Sequence, residues 1–275
     1  MNYLTLNSGT AMPSVGMGLM KLPDSPDTEA LIREAISLGY RLFDTASSYK
    51  NEAELGRAIR ASGIPREEFF ITSKIWNTAQ RLGNAEGAFS RSLERLGLDY
   101  VDLYLIQWPV PGCYLDTWHE LEKIFLSGRA RAIGVANFSI EDLTYLMSEA
   151  EILPAVNQIE YHALGGRNDL RVFCQSKGIA VQAGAPLAQG AFLDRDILKA
   201  IAERHEKTVA QVGLRYLLQL GISVVPRSVR LSHLSENLDL FDFELTDEEM
   251  NTIDSLREGY RCFDIPSDLT GEILL

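Results

Sequence analysis

Short apolar runs alternate with amphipathic stretches along almost the whole of this 275-residue chain, and this alternation constrains the fold more than any other feature. The run from Val101 to Ile106 is apolar at nearly every position, which is typical of a strand buried on both faces of a parallel sheet. The stretch over 28–38 has apolar residues at helical spacing and stops at Gly39, a frequent C-terminal signal. Strands are predicted at 15–18, 41–44, 69–73, 101–106, 131–135, 155–159, 179–183 and 222–225, with helical stretches at 28–38, 84–96, 116–127, 140–149, 168–177, 194–204 and 208–219.

Repeated strand–helix units of this size favour an α/β fold, a (β/α)8 TIM barrel, over a doubly wound open sheet. The hydrophobic content of 46% is ample for one core, so residues 1–275 are expected to form a single domain. Before the first strand, the residues around Ser8 and Gly9 predict a small N-terminal β-hairpin. The last stretch, Gly259 to Leu275, lacks periodicity and is expected to cross one mouth of the barrel.

The charge of the chain restricts its partners. A formal net charge of −12 disfavours binding to nucleic acid phosphates or anionic lipid. The three cysteines are scattered, the N-terminus lacks a secretory pattern, and no window approaches the length of a membrane helix. We therefore expect a cytoplasmic protein, a monomer by default, without nucleic acid or membrane partners.

Three residues at strand ends suggest a chemistry. Asp44 ends one predicted strand, Tyr49 follows in a loop, and Lys74 ends the next strand. A tyrosine hydroxyl has a pKa of about 10, but a neighbouring ammonium eases proton donation and a carboxylate can hold that ammonium in place. The set is suited to protonating a carbonyl oxygen. The alternative is structural, with Asp44 capping a helix that begins near Asn51 and Tyr49 an ordinary surface aromatic.

Other polar residues fall at the carboxyl ends of the predicted strands, where barrels carry their active sites. They are Gln107, Asn137, Gln158, Glu160 and Arg227. Their concentration at these ends favours a functional site over a structural role. No cluster has the spacing of a metal site, so no metal is expected.

Laid out in order, these residues make the chain resemble the aldo-keto reductase family from about Thr5 to Leu256. The opening strand resembles that of the family, and Leu96 to Ile106 precedes a Trp-Pro pair as it does there. The matching stretches are Met12–Gly18, Gly39–Ala46 with Tyr49, Asn51, Glu52 and Gly56, Leu96–Ile106 with Trp108-Pro109, Ile133–Val135 with Asn137-Phe138, Asn157–His162, Pro186-Leu187, and Glu236-Asn237 with Phe241–Phe243. An ordered set of this kind is far more specific than a lone glycine pair.

The resemblance implies NADP(H), bound without the Rossmann fingerprint, and a role for each matched residue. Tyr49 would be the proton donor, Lys74 would lower its pKa, and Asp44 would pair with Lys74. Asn137 and Gln158 would bind the nicotinamide carboxamide, and Asp44 could also contact the ribose. The remaining cofactor-binding positions would be Gly18, Leu19, Gly184, Pro186 and Leu187, together with Arg227, Ser228, His233, Glu236 and Asn237 at the adenine and 2′-phosphate end. The substrate pocket is expected at Met20, Trp76 and Trp108, bordered by the tail around Phe263.

The sequence also departs from the family pattern. Gln107 replaces the fourth catalytic residue, a histidine; it can donate a hydrogen bond but cannot ionise near neutral pH. Ala136 and Ala185 replace serines, Arg227 replaces a lysine, and His233 stands where an arginine is common. Gly184 replaces an aromatic ring that stacks on the nicotinamide. That stacking must come from elsewhere or be lost, at a cost of about 1–3 kcal/mol by analogy with base stacking.

These features favour an NADPH-dependent reductase of aldehydes or small ketones, with Arg227 supporting a preference for NADPH over NADH. Reduction of a carbon–carbon double bond is a variant, because Gln107 changes how a carbonyl is seated. A second hypothesis is an NADP(H)-binding sensor or partner protein with weak catalysis, suggested by Gln107, Ala136 and Gly184. A third, a hydrolase using Asp44 and Glu160, leaves Lys74 unexplained.

Overall fold

The computed structural model describes residues 2–269 and has eight parallel strands arranged as a barrel. All eight predicted strands are present, each within two residues of the predicted bounds. The strands are β3 (Met17–Gly18), β4 (Leu42–Asp44), β5 (Phe70–Ile75), β6 (Leu103–Ile106), β7 (Ile133–Ala136), β8 (Val156–Glu160), β9 (Ala180–Gly184) and β10 (Ile222–Val224). Each pairs with its neighbour in chain order. The predicted (β/α)8 fold is therefore confirmed, and the open sheet is excluded.

The first and last strands close the barrel. Val15 and Val224 form a parallel bridge, and the Gly16 amide donates to the Val224 carbonyl at 2.9 Å. The Gly18 amide donates to Pro226 at 3.1 Å, which continues the same contact toward the carboxyl end. This closure brings the loop after β10, including Arg227, next to the ends of β3 and β4.

The predicted hairpin is also present, and it covers the end of the barrel opposite to the carboxyl ends of the strands. Its strands are β1 (Tyr3–Thr5) and β2 (Ala11–Pro13), paired antiparallel. Leu6 and Met12 pack with the barrel interior, beside Leu103 and Leu105. With that end filled by apolar side chains, the opposite mouth is left for a polar site.

Helices surround the barrel, and their apolar faces form the larger core between sheet and helices. Seven of them match predicted stretches, and a further one begins at Glu52, next to the predicted start. The helices are α1 (Pro26–Ser37), α2 (Glu52–Ser62), α3 (Asn77–Arg81), α4 (Ala85–Leu96), α5 (Tyr114–Leu126), α6 (Ile140–Glu149), α7 (Asn168–Ser176), α8 (Asp196–Arg204), α9 (Val209–Gln219), α10 (Leu231–Glu236) and α11 (Asp247–Asp254). The helices α3, α10 and α11 are not among the predicted stretches. In the part of the chain that the structure describes, no helix has the length and apolarity needed to cross a membrane.

One close contact explains the glycine in α2. A Cβ on Gly56 would lie only 1.8 Å from the Leu96 carbonyl oxygen at the end of α4. Any larger residue would push the two helices apart, and α2 follows directly from the loop that carries Tyr49. The tail after α11 crosses the carboxyl-end mouth as predicted, through residue 269; residues 270–275 of the predicted tail lie outside the described residues.

Candidate active site

A buried ion pair lies at the base of the carboxyl-end mouth. The Lys74 ammonium donates to both carboxylate oxygens of Asp44, at 2.8 and 2.7 Å, and to the Thr45 carbonyl at 2.9 Å. Both side chains are almost wholly buried. Burial opposes the charge on Lys74, but the Asp44 carboxylate and Tyr49 outweigh it, so the pKa of the ammonium lies above its usual value. The pair is fixed because β4 and β5 are adjacent parallel strands.

Tyr49 lies above this pair on a short 3-10 turn, Ser47–Tyr49, that directly follows β4. Its ring centroid is 5.0 Å from the Lys74 ammonium. Ser47 anchors the turn by donating to the Lys74 carbonyl at 2.9 Å. Burial raises the pKa of the Tyr49 hydroxyl, and the charge and hydrogen bonding of Lys74 oppose that rise without cancelling it. Lys74 therefore acts on Tyr49 in the expected direction, but burial has the larger effect.

The structural alternative for Asp44 and Tyr49 does not hold. Asn51, not Asp44, precedes α2, and its side chain binds Thr45 and the Leu19 and Leu22 carbonyls. Tyr49 is only partly exposed and faces the cleft described below.

A chain of buried amides continues from the ion pair across the barrel. The Gln158 amide nitrogen donates to Asp44 at 2.8 Å and to Gln182 at 2.6 Å. Gln182 in turn donates to Ser223 at 3.3 Å. Gln182 was not among the predicted site residues, although a glutamine within the apolar strand β9 was a usable signal. The Gln158 oxygen accepts no hydrogen bond from residues 2–269, which leaves it as a free acceptor.

Gln107 is oriented by a residue that sequence analysis missed. Ser48, the neighbour of Tyr49, donates to the Gln107 side-chain oxygen at 3.0 Å. The Gln107 amide nitrogen then has no partner within residues 2–269 and remains a donor at the cleft wall. Asn137 donates to the Gln107 carbonyl at 2.9 Å, so its own side-chain oxygen is left as an acceptor. No periodicity could have revealed the Ser48 contact, because it joins residues 59 positions apart.

These groups open into one cleft of about 1340 Å³ at the carboxyl ends of the strands. Tyr49, Lys74, Asp44 and Gln107 line it, and so do the three predicted substrate-pocket residues, Met20, Trp76 and Trp108. Predicted cofactor-binding residues in its wall are Gly18, Asp44, Asn137, Gln158, Gly184, Pro186, Leu187 and Arg227.

Five predicted cofactor-binding residues do not line the cleft: Leu19, Ser228, His233, Glu236 and Asn237. Leu19 is wholly buried, and its amide donates to the Asp44 carbonyl at 2.9 Å. The Ser228 hydroxyl is used in its own turn, where it accepts from the Arg230 amide at 3.0 Å. Asn237 is buried, whereas His233 is exposed on α10 beside it. Of these residues, Leu19 stabilises the end of β4 through this hydrogen bond and is not part of the cleft wall.

The backbone around the cleft is strained. Seven residues other than glycine have positive φ angles, and five of them line the cleft: Lys21, Lys50, Asn137, Ala185 and Gln189. The other two, Ala188 and Glu206, do not. Such conformations cost about 1–3 kcal/mol each and tend to cluster at ligand-binding sites. Their concentration here supports a binding role for the cleft.

Glu160, at the end of β8, holds the C-terminal tail over this mouth. One carboxylate oxygen accepts from the Cys262 amide at 2.7 Å, and the other accepts from the Phe263 amide at 2.9 Å. His162 donates to the same carboxylate at 2.9 Å. Burial disfavours ionisation of Glu160, but these hydrogen bonds outweigh it and hold its pKa below the usual value. The carboxylate is therefore a tail anchor, which leaves little support for a hydrolase using Asp44 and Glu160.

The same group has donor atoms that could ligate a metal. Glu160, His162 and Cys262 place an oxygen, a nitrogen and a sulfur within 4.8 Å of one another. Sequence spacing did not indicate this set, because Cys262 comes from the tail. Burial and the Glu160 charge raise the pKa of the Cys262 thiol to about 12, whereas a metal ligand must be a thiolate. Both Glu160 oxygens already accept hydrogen bonds from the tail amides, so the geometry shows a tail anchor made by this carboxylate.

The cleft fits a nicotinamide dinucleotide. Its volume exceeds the range of about 300–1,000 Å³ typical of a pocket for one small ligand. Asn137 and Gln158 present two unpartnered amide oxygens, which suit the NH2 group of a carboxamide. Arg227 presents an exposed guanidinium with no partner in residues 2–269, which suits a phosphate.

Comparison with known proteins agrees with this geometry. The model of the Aldo/keto reductase family matches residues 14–258. A glyoxal reductase of Bacillus subtilis is 46% identical over 264 residues, which cover 96% of this chain and 96% of that protein. The aldose reductase structure from Schistosoma japonicum superposes with a TM-score of 0.93 at 37% identity, covering 99% of this chain and 97% of that one. A Bombyx mori aldo-keto reductase in complex with NADP gives a TM-score of 0.91 at 37% identity, covering 98% and 96%.

A closed parallel barrel whose mouth holds a tyrosine, a lysine and an aspartate defines the class of protein as a barrel oxidoreductase. The family match and the identity over nearly the full chain make the assignment specific: the chain belongs to the aldo/keto reductase family.

Proposed function

We propose that the protein reduces aldehydes or small ketones to alcohols with NADPH, and that Tyr49 donates the proton. The enzyme class and cofactor follow from family membership: the protein is an NADP(H)-dependent oxidoreductase. The observation that carries the finer assignment is the buried Lys74–Asp44 pair directly beside Tyr49 in the cleft. A neutral tyrosine next to a fixed ammonium is a proton donor whose conjugate base is stabilised in advance.

Each residue has a definite task in this reaction. NADPH supplies the hydride to the carbonyl carbon when it is bound. Tyr49 protonates the carbonyl oxygen as negative charge develops there, and Lys74 stabilises the phenolate that results. Asp44 keeps Lys74 charged and in place. The Gln107 amide donates a hydrogen bond to the same oxygen without exchanging a proton. Solvent then reprotonates Tyr49, which completes the cycle.

The substrate class follows from the walls of the cleft. Trp76 and Trp108 offer partly exposed aromatic surface beside Tyr49 and Gln107. Gln80 holds the Trp108 backbone through a hydrogen bond of 3.1 Å. Apolar walls with two hydrogen-bond donors at one point suit a small carbonyl compound with one polar end.

The test is Tyr49→Phe, which removes the proton donor and little volume. Reduction of an aldehyde panel should fall by about 10²–10⁴-fold, the usual contribution of a positioned acid, with NADPH affinity unchanged. Tyr145→Phe is the matched control, because Tyr145 lies on the exposed face of α6. Retention of turnover by Tyr49→Phe would refute the assignment of Tyr49.

The sensor hypothesis predicts a different pattern, and the donor left free on Gln107 argues against it. A sensor would bind NADPH tightly and reduce every carbonyl of the panel only weakly, so that Tyr49→Phe would differ little from the natural chain. Steady-state assays on the sample used for the NADPH titration separate the two.

A further inference from the structure

A glycine and a phenylalanine from distant parts of the chain meet in the wall of the cleft. Gly184 is the last residue of β9, and a Cβ placed on it would lie 3.1 Å from Cε2 of the Phe263 ring and 3.4 Å from Cζ. The ring therefore occupies the space into which a side chain at position 184 would project. Both residues line the cleft together with Asn137 and Gln158, the two residues that leave amide oxygens free.

The position of the ring is fixed by the strand next to Gly184. Glu160 is paired in register with Gly184, and its carboxylate holds the backbone amides of Cys262 and Phe263. Gln189 adds a third hydrogen bond, to the Cys262 carbonyl at 3.0 Å. Three contacts on two successive residues hold this point of the tail, although the tail has no regular structure there.

We propose that Phe263 is the residue that stacks on the nicotinamide ring of the cofactor, supplied by the C-terminal tail in place of a side chain at position 184. Phe263 is only partly buried, so it retains aromatic surface for a planar ligand. A carboxamide bound by Asn137 and Gln158 would bring its pyridine ring to this part of the wall. The proposal rests on the proposed use of NADP(H).

This origin of the ring has a consequence for binding. Because the ring reaches the cleft only when the tail is held by Glu160, docking of the tail and binding of the nicotinamide stabilise each other. Because the two effects are thermodynamically linked, bound NADPH should in turn stabilise the docked tail. Hydrogen exchange should then slow at the backbone amides of Cys262 and Phe263, which donate hydrogen bonds to the Glu160 carboxylate. A ligand without a nicotinamide should not.

The test compares two ligands on three single variants and one double variant by fluorescence or calorimetric titration. NADPH carries the nicotinamide, whereas adenosine 2′,5′-bisphosphate carries only the adenine and phosphate end. Phe263→Leu keeps an apolar side chain but removes the ring, and Phe263→Tyr keeps the ring. Phe241→Leu is the matched control, since Phe241 is an exposed phenylalanine outside the cleft.

We expect Phe263→Leu to raise the Kd for NADPH by roughly 5- to 100-fold, the range of a lost aromatic stacking contact, and to leave the bisphosphate Kd unchanged. Phe263→Tyr and Phe241→Leu should bind both ligands as the natural chain does. Moving the ring to the strand, in Gly184→Phe with Phe263→Leu, should restore NADPH affinity in part.

Three results would overturn the proposal. Unchanged NADPH affinity in Phe263→Leu would show that the ring does not contact the cofactor. Equal losses for both ligands would assign the effect to tail docking rather than to stacking. A change only in the KM of the carbonyl would place the ring against the substrate. If the natural chain itself failed to bind NADPH, the proposed function would fail first, which the same titration shows separately.

Discussion

The base of the cleft and its rim each carry a positive charge, but the charge at the base is buried and paired, whereas the charge at the rim is exposed and unpaired. At the base, the Lys74 ammonium has three acceptors, and nearly all of its surface is buried. At the rim, Arg227 is exposed and has no partner within residues 2–269. The base is thus complete before any ligand arrives, which is the arrangement that electrostatic preorganisation requires. Because the charge at the rim is free, we expect Arg227 to contribute to ligand affinity rather than to the stability of the folded structure.

The largest effect on stability and activity is expected when the buried Lys74–Asp44 pair is broken. Lys74→Met would leave the Asp44 carboxylate buried without its cation, and removing one partner of such a pair typically costs about 3–5 kcal/mol. The free energy of unfolding, measured with denaturant, should fall by that amount, and carbonyl reduction should be lost. Adding Asp44→Asn should recover most of the stability and none of the activity, because Gln158 can still donate to the amide oxygen.

The control for this experiment is an ion pair on the surface. Arg167 contacts Asp169 at 2.7 Å, and both side chains are more than half exposed. Arg167→Met should cost only about 0–1 kcal/mol. Equal losses for Lys74→Met and Arg167→Met would contradict the distinction between the buried pair at the base and an exposed charge.

The rim is tested by Arg227→Gln. We expect a loss of about 1.5–3 kcal/mol in NADPH affinity, the value of a hydrogen bond to a charged group, with NADH affinity and the unfolding free energy unchanged. The difference between the two cofactors should shrink as salt is raised, since the rim is open to solvent. Arg230→Gln is the matched control, because Arg230 belongs to the same loop but does not line the cleft. Comparable affinities of the natural chain for NADH and NADPH would contradict the assigned role of Arg227.

The sequence was sufficient to predict the barrel because the patterns that indicate each strand and helix are local. Apolar runs and helical spacing define each element within its own residues, and parallel strands necessarily bring their carboxyl ends to one mouth. The helices that were missed are short or lie outside the repeat. For α11 a signal existed, since Thr246 and Glu249 form a capping box at its start.

The site was predictable only in part, for a physical reason. Asp44 and Lys74 could be proposed because they lie at the ends of strands that are neighbours in sequence, and Tyr49 because it lies in the loop between those strands. The roles of Ser48, Gln182 and Glu160 depend on contacts between residues that are far apart in sequence, which no periodicity encodes. The lack of an aromatic residue at position 184 was visible in the sequence, and the tail around Phe263 was expected at the pocket. The contact of the Phe263 ring with Gly184 could not be predicted, because the two residues are far apart in sequence.

The smallest expected effect is on the pH dependence of carbonyl reduction, which tests how dry the base of the cleft is. Burial raises the pKa of Tyr49 above its ordinary value of about 10 even though Lys74 opposes the rise. A raised pKa means that the hydroxyl keeps its proton as the solution becomes alkaline, so the proton-donating form persists throughout the neutral range. With NADPH saturating, kcat/KM for aldehyde reduction should therefore stay level from about pH 6 to 9 and decline only beyond the ordinary tyrosine value. A decline with an apparent pKa near 8 would mean that the Lys74 charge outweighs burial in the complex. The mouth would then be wetter than the structure shows, and the contrast between a dry base and an open rim would have to be given up.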